Sequence, residues 1–252
     1  MKKTAGFLKV DKLNLVGEVC FPEITNQPLP AVCLCHGIPA IPYNPTDHGY
    51  PVLAERFCAA GFITLIFNFR GTGQSQGNLD IFGWTQDLKA AIDFLSNLGE
   101  VNKSSFCLLG FSGGAAVSVY GAANDPRISS VIACACPADF NFLVDKQQAK
   151  SLVAYFRSIG VIRDRDFPPS IDEWLEGFSM VSPIRWIDKI SPRPLLLIHG
   201  EKDELVAVEH AFRLYEQAAE PKEIVIIPGA GHRLRLEEEA IATALNWLKT
   251  HC

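Results

Sequence analysis

The run Phe106-Cys107-Leu108-Leu109 ends in Gly110-Phe111-Ser112-Gly113-Gly114 and continues as Ala115-Ala116-Val117-Ser118-Val119. An apolar run of strand length turns in one tight corner into a run of small residues of helical habit. Glycine on either side of the corner lets backbone and helix approach with no Cβ in the way. A strand fed straight into a helix belongs to architectures that stack parallel strands under helices. The corner also suits chemistry. A serine hydroxyl is a weak nucleophile and must be offered to a base and to a reactive carbonyl. A serine at such a corner, with the first amides of a helix aimed beside it, meets that need. Composition alone yields this G-x-S-x-G pattern in about one chain in ten of this length, so the setting carries the weight.

Strand-like and helix-like segments alternate around the corner. Residues 7–21 read as a hairpin, Phe7 to Val10 and Leu13 to Phe21 about a turn at Asp11-Lys12. The short apolar runs 31–35, 62–67, 106–110, 128–136, 195–200 and 224–227 read as buried strands. Helices are expected from Pro51 to Ala60, closed by Gly61, from Trp84 to Leu98, after Ser112, from Val206 to Ala219 and from Glu237 to Lys249. This alternation predicts an α/β fold, with a mainly parallel central sheet covered by helices on both faces. Such sheets bind ligands beyond the carboxyl ends of their strands. One domain over 1–252 accounts for the pattern. Its interruption, 139–181, carries helical patterns at 145–158 and 171–179, the second opened by Ser170 with Glu173 three residues on.

Two strand ends carry the partners that a serine nucleophile needs. Glu201-Lys202-Asp203-Glu204 follows the strand 195–200, and Pro228-Gly229-Ala230-Gly231-His232 follows the strand 224–227. Upstream, the strand 31–35 ends in His36-Gly37-Ile38. The chain order is nucleophile, acid, histidine, each just past the end of a strand. Among the unrelated Ser-His-acid solutions that order is the mark of one family.

On these residues the chain resembles the α/β-hydrolase superfamily, in its compact bacterial type related to dienelactone hydrolases and small esterases. Phe67-Asn68-Phe69-Arg70-Gly71-Thr72-Gly73-Gln74-Ser75 is similar to a turn such hydrolases carry after their fourth strand, and Ser182-Pro183-Ile184-Arg185-Trp186-Ile187-Asp188 to the segment before the acid strand. The resemblance runs from about residue 13 to the C-terminus and is weakest over 139–181. It implies an α/β-hydrolase fold with a short helical lid at 139–181. It also implies a serine hydrolase for carboxylic esters, with Ser112, Asp203 and His232 catalytic and the Ile38 and Gly113 backbone N–H groups as the oxyanion hole. Asn68 stands where many relatives carry aspartate, a position that is usually structural. Dienelactone hydrolases proper use a cysteine nucleophile, so Ser112 argues against that activity.

Each residue also has a plainer reading. Glu201, Glu204 and Asp139 are rival acids. His36 is expected to shape the oxyanion turn, His199 to point inward, Arg70 to anchor its turn. His48, in the polar connection with Asn44, Thr46 and Asp47, reads as solvated. Tyr155, Phe156, Trp174 and Phe178 read either as core over the sheet or as the lining of a substrate pocket. The same triad serves peptidases, thioesterases and C–C bond hydrolases. A non-catalytic ligand-binding member of the fold is a further alternative, but it has no need of all three triad residues.

Composition sets the outer limits. A net charge of −5 gives no basic footprint for nucleic acid. No run approaches the roughly 18 apolar residues of a membrane span, and the first residues lack a signal-peptide pattern. Cys33, Cys35, Cys107, Cys134 and Cys136 lie in apolar runs and read as reduced, buried thiols of a cytoplasmic protein. Cys33/Cys35 and Cys134/Cys136 each read as two thiols on one strand face, not as a metal site. No cofactor or metal is expected. The expected partner is a small ester, with a homodimer left open.

Overall fold

The computed structural model describes residues 1–23, 27–39, 48–141 and 148–252. Asn44, Thr46, Asp47 and the first residues of the pattern at 145–158 lie outside the described residues. Strands β1 (Lys2–Val10) and β2 (Leu13–Phe21) form an antiparallel hairpin. There follow β3 (Leu29–Cys35), α1 (Gly49–Ala59), β4 (Ile63–Phe67), α2 (Ile81–Ser96), β5 (Val101–Phe111), α3 (Gly113–Asn124) and β6 (Ser130–Cys134). Then come α4 (Ala149–Ser158), α5 (Ile171–Val181), β7 (Leu195–Gly200), α6 (Glu209–Gln217), β8 (Lys222–Ile227) and α7 (Glu238–His251). Among the described residues the eight strands form one sheet in the order β1-β2-β4-β3-β5-β6-β7-β8. β2 meets β4 antiparallel, and every pairing from β4 to β8 is parallel. The carboxyl ends of β3 and β5 to β8 therefore share one edge. Among the described residues no helix is long and apolar enough to cross a membrane.

The sheet separates two cores. Along β3, Ala31, Cys33 and Cys35 face the layer of α2 and α3, while Val32 and Leu34 face the layer of α1 and α7. Trp84, Phe69 and Phe106 are fully buried in the first layer and Phe57 in the second. α4 and α5 add Val153, Phe156, Trp174, Leu175 and Phe178 to the α2–α3 side.

Several boundaries differ from the sequence reading, each for a local reason. β1 begins at Lys2, where an exposed stretch without apolar alternation is held by backbone pairing to β2. α2 begins at Ile81 because the Asp80 carboxylate accepts the Phe82 amide at 3.1 Å and caps it. α6 begins at Glu209: Asp203 Oδ1 takes the Leu205 and Val206 amides at 2.9 and 2.8 Å and makes a turn there. Two expectations about thiols are overturned. Cys134 and Cys136 do not share a face, because Ala135 between them sits at φ 49° and breaks the alternation. Cys107 is not a free thiol: it faces α7 and forms a disulfide with Cys252, their Cα atoms 6.1 Å apart. Cys20, Cys33, Cys35, Cys58, Cys134 and Cys136 are free and buried.

Candidate active site

Ser112 stands at the end of β5 with φ 53° and ψ −121°. A non-glycine residue in such a region costs about 1–3 kcal/mol and persists only where its surroundings hold it. Here the Ser112 amide donates to the Cys134 carbonyl at 2.9 Å, and the Ser112 carbonyl accepts the Ala115 and Ala116 amides at 2.9 and 3.1 Å. The corner needs its glycines. A Cβ on Gly110 would lie 2.5 Å from Ala115 Cα, and one on Gly114 2.3 Å from the His36 carbonyl oxygen.

The loop after β3 lies against this corner. A Cβ on Gly37 would lie 3.0 Å from Ser112 Cβ, and one on Gly113 3.6 Å from the Ile38 nitrogen. The Ile38 and Gly113 amides thus flank Ser112. His36 orients the loop. The Phe69 amide donates to His36 Nε2 at 3.1 Å, so the ring proton sits on Nδ1, which donates to the Gly37 carbonyl at 2.7 Å. That carbonyl shares a planar trans peptide with the Ile38 N–H, so holding one end directs the other. Burial pushes the His36 pKa down to about 4, against the pull of the Gly37 carbonyl and with help from the Arg235 charge. Tyr50 closes the loop from the side. Its hydroxyl hydrogen-bonds the Gly37 backbone, and burial pushes the phenol pKa up. Its ring centroid is 5.8 Å from that of Phe111, and the Arg235 guanidinium lies 5.4 Å from it. Nothing in the sequence marked Tyr50 or Arg235.

Past β7 and β8, His232 Nδ1 lies 2.8 Å from Asp203 Oδ2 and 3.0 Å from Oδ1. The Asp203 side chain is fully buried and that of His232 is 14% exposed. Burial alone would raise the Asp203 pKa. Hydrogen bonds from His199, His232 and the Val206 amide outweigh it and hold the carboxyl well below the usual range. Asp203 is therefore an anion that orients the His232 imidazole through Nδ1. The rival acids have other work. Glu204 accepts the His232 amide at 3.3 Å and Glu201 the Gly229 amide at 2.8 Å, so both clamp the histidine loop to the acid turn. Asp139 is paired with Arg213 at 2.6 Å.

The remaining candidates are also placed. Arg70 anchors its turn on the buried Asp87 through Nε and Nη2, at 2.9 and 2.7 Å. His48 is exposed at the start of α1. Of the four aromatics read either as core or as pocket lining, Tyr155 is exposed, and Phe156, Trp174 and Phe178 are buried in the core. α5 is pinned inward: Trp174 Nε1 donates to the Leu79 carbonyl at 2.9 Å, and its ring packs edge-on against Phe156 and Phe178. Among the described residues no three His, Cys, Asp or Glu side chains group as a metal would require.

A serine on a strand-to-helix corner, two amides beside it and an Asp–His pair on the same sheet edge define a class, and comparison with known proteins agrees. Residues 34–244 match the model of the alpha/beta hydrolase family. The chain belongs to that family. It is 30% identical over 176 residues to YfhR of Escherichia coli (strain K12), an uncharacterized protein, covering 68% of this chain and 53% of YfhR. The matched stretch is thus about half of that relative's length. Among solved structures it is similar to the alpha/beta hydrolase GrgF from Penicillium sp. sh18, with TM-score 0.77, 22% identity and coverage of 100% and 99% of the two chains. It is likewise similar to the esterase Pf2001 of Pyrococcus furiosus, with TM-score 0.71, 23% identity and coverage of 98% and 92%. At these identities the structures speak for the fold.

Proposed function

We propose that this chain is a serine hydrolase that cleaves carboxylic esters of small to medium substrates. The observation that carries the reading is the buried Asp203 anion on His232 Nδ1, on the sheet edge where Ser112 is held. In this mechanism His232 Nε2 takes the Ser112 hydroxyl proton as Oγ attacks the ester carbonyl carbon. The Gly113 and Ile38 N–H groups hold the oxyanion; one such donor contributes about 2.7–4 kcal/mol. The imidazolium, stabilised by Asp203, then protonates the leaving alkoxide. Water, deprotonated by His232, releases the acid and restores Ser112. The ester is taken first because the fold is shared with named esterases such as Pf2001, and a peptide, a thioester or a C–C bond stays an alternative on the same triad. Substrate choice falls to 139–181, where Tyr155 is the exposed aromatic. Six buried free thiols speak for a cytoplasmic setting and the Cys107–Cys252 disulfide against it.

A fluorophosphonate probe tests the reading. It should label the wild-type chain and not Ser112→Ala, and a series of nitrophenyl esters should turn over faster than matched thioesters and peptides. An unlabelled, inactive wild type would sink it.

A further inference from the structure

The mechanism above uses His232 and Asp203 and leaves a second histidine beside them unused. His199 is the penultimate residue of β7, and its side chain is 1% exposed. Its Nε2 lies 2.8 Å from the Val206 carbonyl oxygen. A carbonyl only accepts, so Nε2 carries the proton. The same nitrogen lies 3.3 Å from Asp203 Oδ2, the oxygen that faces His232 Nδ1 at 2.8 Å. The other oxygen, Oδ1, is held by the Leu205 and Val206 amides. One imidazole N–H thus bridges the two ends of the acid turn: the carboxylate at its start and the Val206 carbonyl at its close. Two histidines sandwich one buried carboxylate, one toward the substrate edge and one toward the core.

We propose that His199 is a positioning residue for the catalytic acid, its Nε2–H latching the 203–206 turn so that Asp203 holds one rotamer toward His232. This rests on the serine-hydrolase reading. Without the latch the Val206 carbonyl loses its buried donor, the turn loosens, and Oδ2 is no longer held at the height of His232 Nδ1. The bond-making steps stay the same, but fewer turnovers find the imidazole in its working tautomer and orientation. The defect belongs in kcat, because His199 is buried behind Asp203 and away from bound substrate.

The test is a cycle of four proteins, wild type, His199→Leu, Asp203→Asn and the double variant, assayed on a nitrophenyl acetate with folded fraction measured by near-UV circular dichroism. His199→Leu should lower kcat by about 10- to 100-fold, the range seen where the hydrogen-bond partner behind a metal-bound histidine is removed, with KM changed less than twofold. His199→Gln, whose amide N–H reaches the Nε2 position, should recover kcat to within about threefold. In the Asp203→Asn background His199→Leu should cost less than twofold, because residues that act as one unit are not additive. An equal loss in both backgrounds, or a failed rescue by glutamine in a folded protein, would overturn the proposal. If His199→Leu does not fold, His199→Asn, too short to reach Val206, takes its place in the cycle. A labelled, active wild type with an equally active His199→Leu overturns this proposal alone; a wild type that takes no fluorophosphonate label overturns the reading beneath it.

Discussion

Single side chains divide the site's work, and each can be tested alone. Asp203 and Asp139 both follow strand ends, yet Asp203 meets His232 and Asp139 meets Arg213. Asp203→Asn should therefore cut ester turnover by about 10⁴-fold through the wrong histidine tautomer, and Asp139→Asn should leave it within a few-fold. Steady-state kinetics on one ester decides, and reversed effects would move the acid to the earlier strand. His36 makes a prediction about pH. Its folded pKa is lowered to about 4 from an ordinary 6.5, so the folded state resists the proton that the unfolded chain accepts. Its contribution is full above pH 6.5 and is lost as pH falls toward 4, about 3 kcal/mol in all. His210, also lowered by burial, acts in the same sense. Urea denaturation of wild type and His36→Asn at pH 7 and 4.5 separates them: the variant, whose amide can still donate to Gly37, should lose less stability on acidification. An identical loss would remove His36 from the account.

Elements show where local reading worked and where it stopped. The strand–corner–helix at Ser112, the order of acid and histidine, and the Ser170 cap of α5 were legible, because each is written within a few consecutive residues. The Ser170 hydroxyl does accept the Glu173 amide, at 3.3 Å. What was missed joins residues far apart. Glu201 and Glu204 looked like spare acids, and only their distance to Gly229 and His232 gives them a purpose. The same limit applies to α5, whose aromatics read equally as core or pocket until Leu79 supplied a carbonyl 95 residues away. Trp174→Phe keeps a ring but orphans that carbonyl. It should destabilise the fold by about 1–3 kcal/mol, seen as a lower urea midpoint with unchanged slope. No change in midpoint would mean that α5 is not anchored there.

At the scale of the molecule, the chain is tied end to middle. The disulfide joins Cys107 in β5 to Cys252 after α7, across 145 positions. Removing such a closure typically costs about 2–5 kcal/mol. Cys252→Ser should therefore melt earlier than oxidised wild type and be indifferent to dithiothreitol, while wild type falls to meet it on reduction; coincident melting curves under all conditions would contradict the tie. The tie lies on the α1–α7 side of the sheet. Ala135 carries the chain away from that side. One left-handed residue sends the chain from beneath β6 to the α2–α3 side before 139–181 begins. The route from Ala135 into 139–181 thus runs over the α2–α3 layer, away from the stapled half. One half of the sheet is thus covalently closed while the chain's longest excursion is carried by the other.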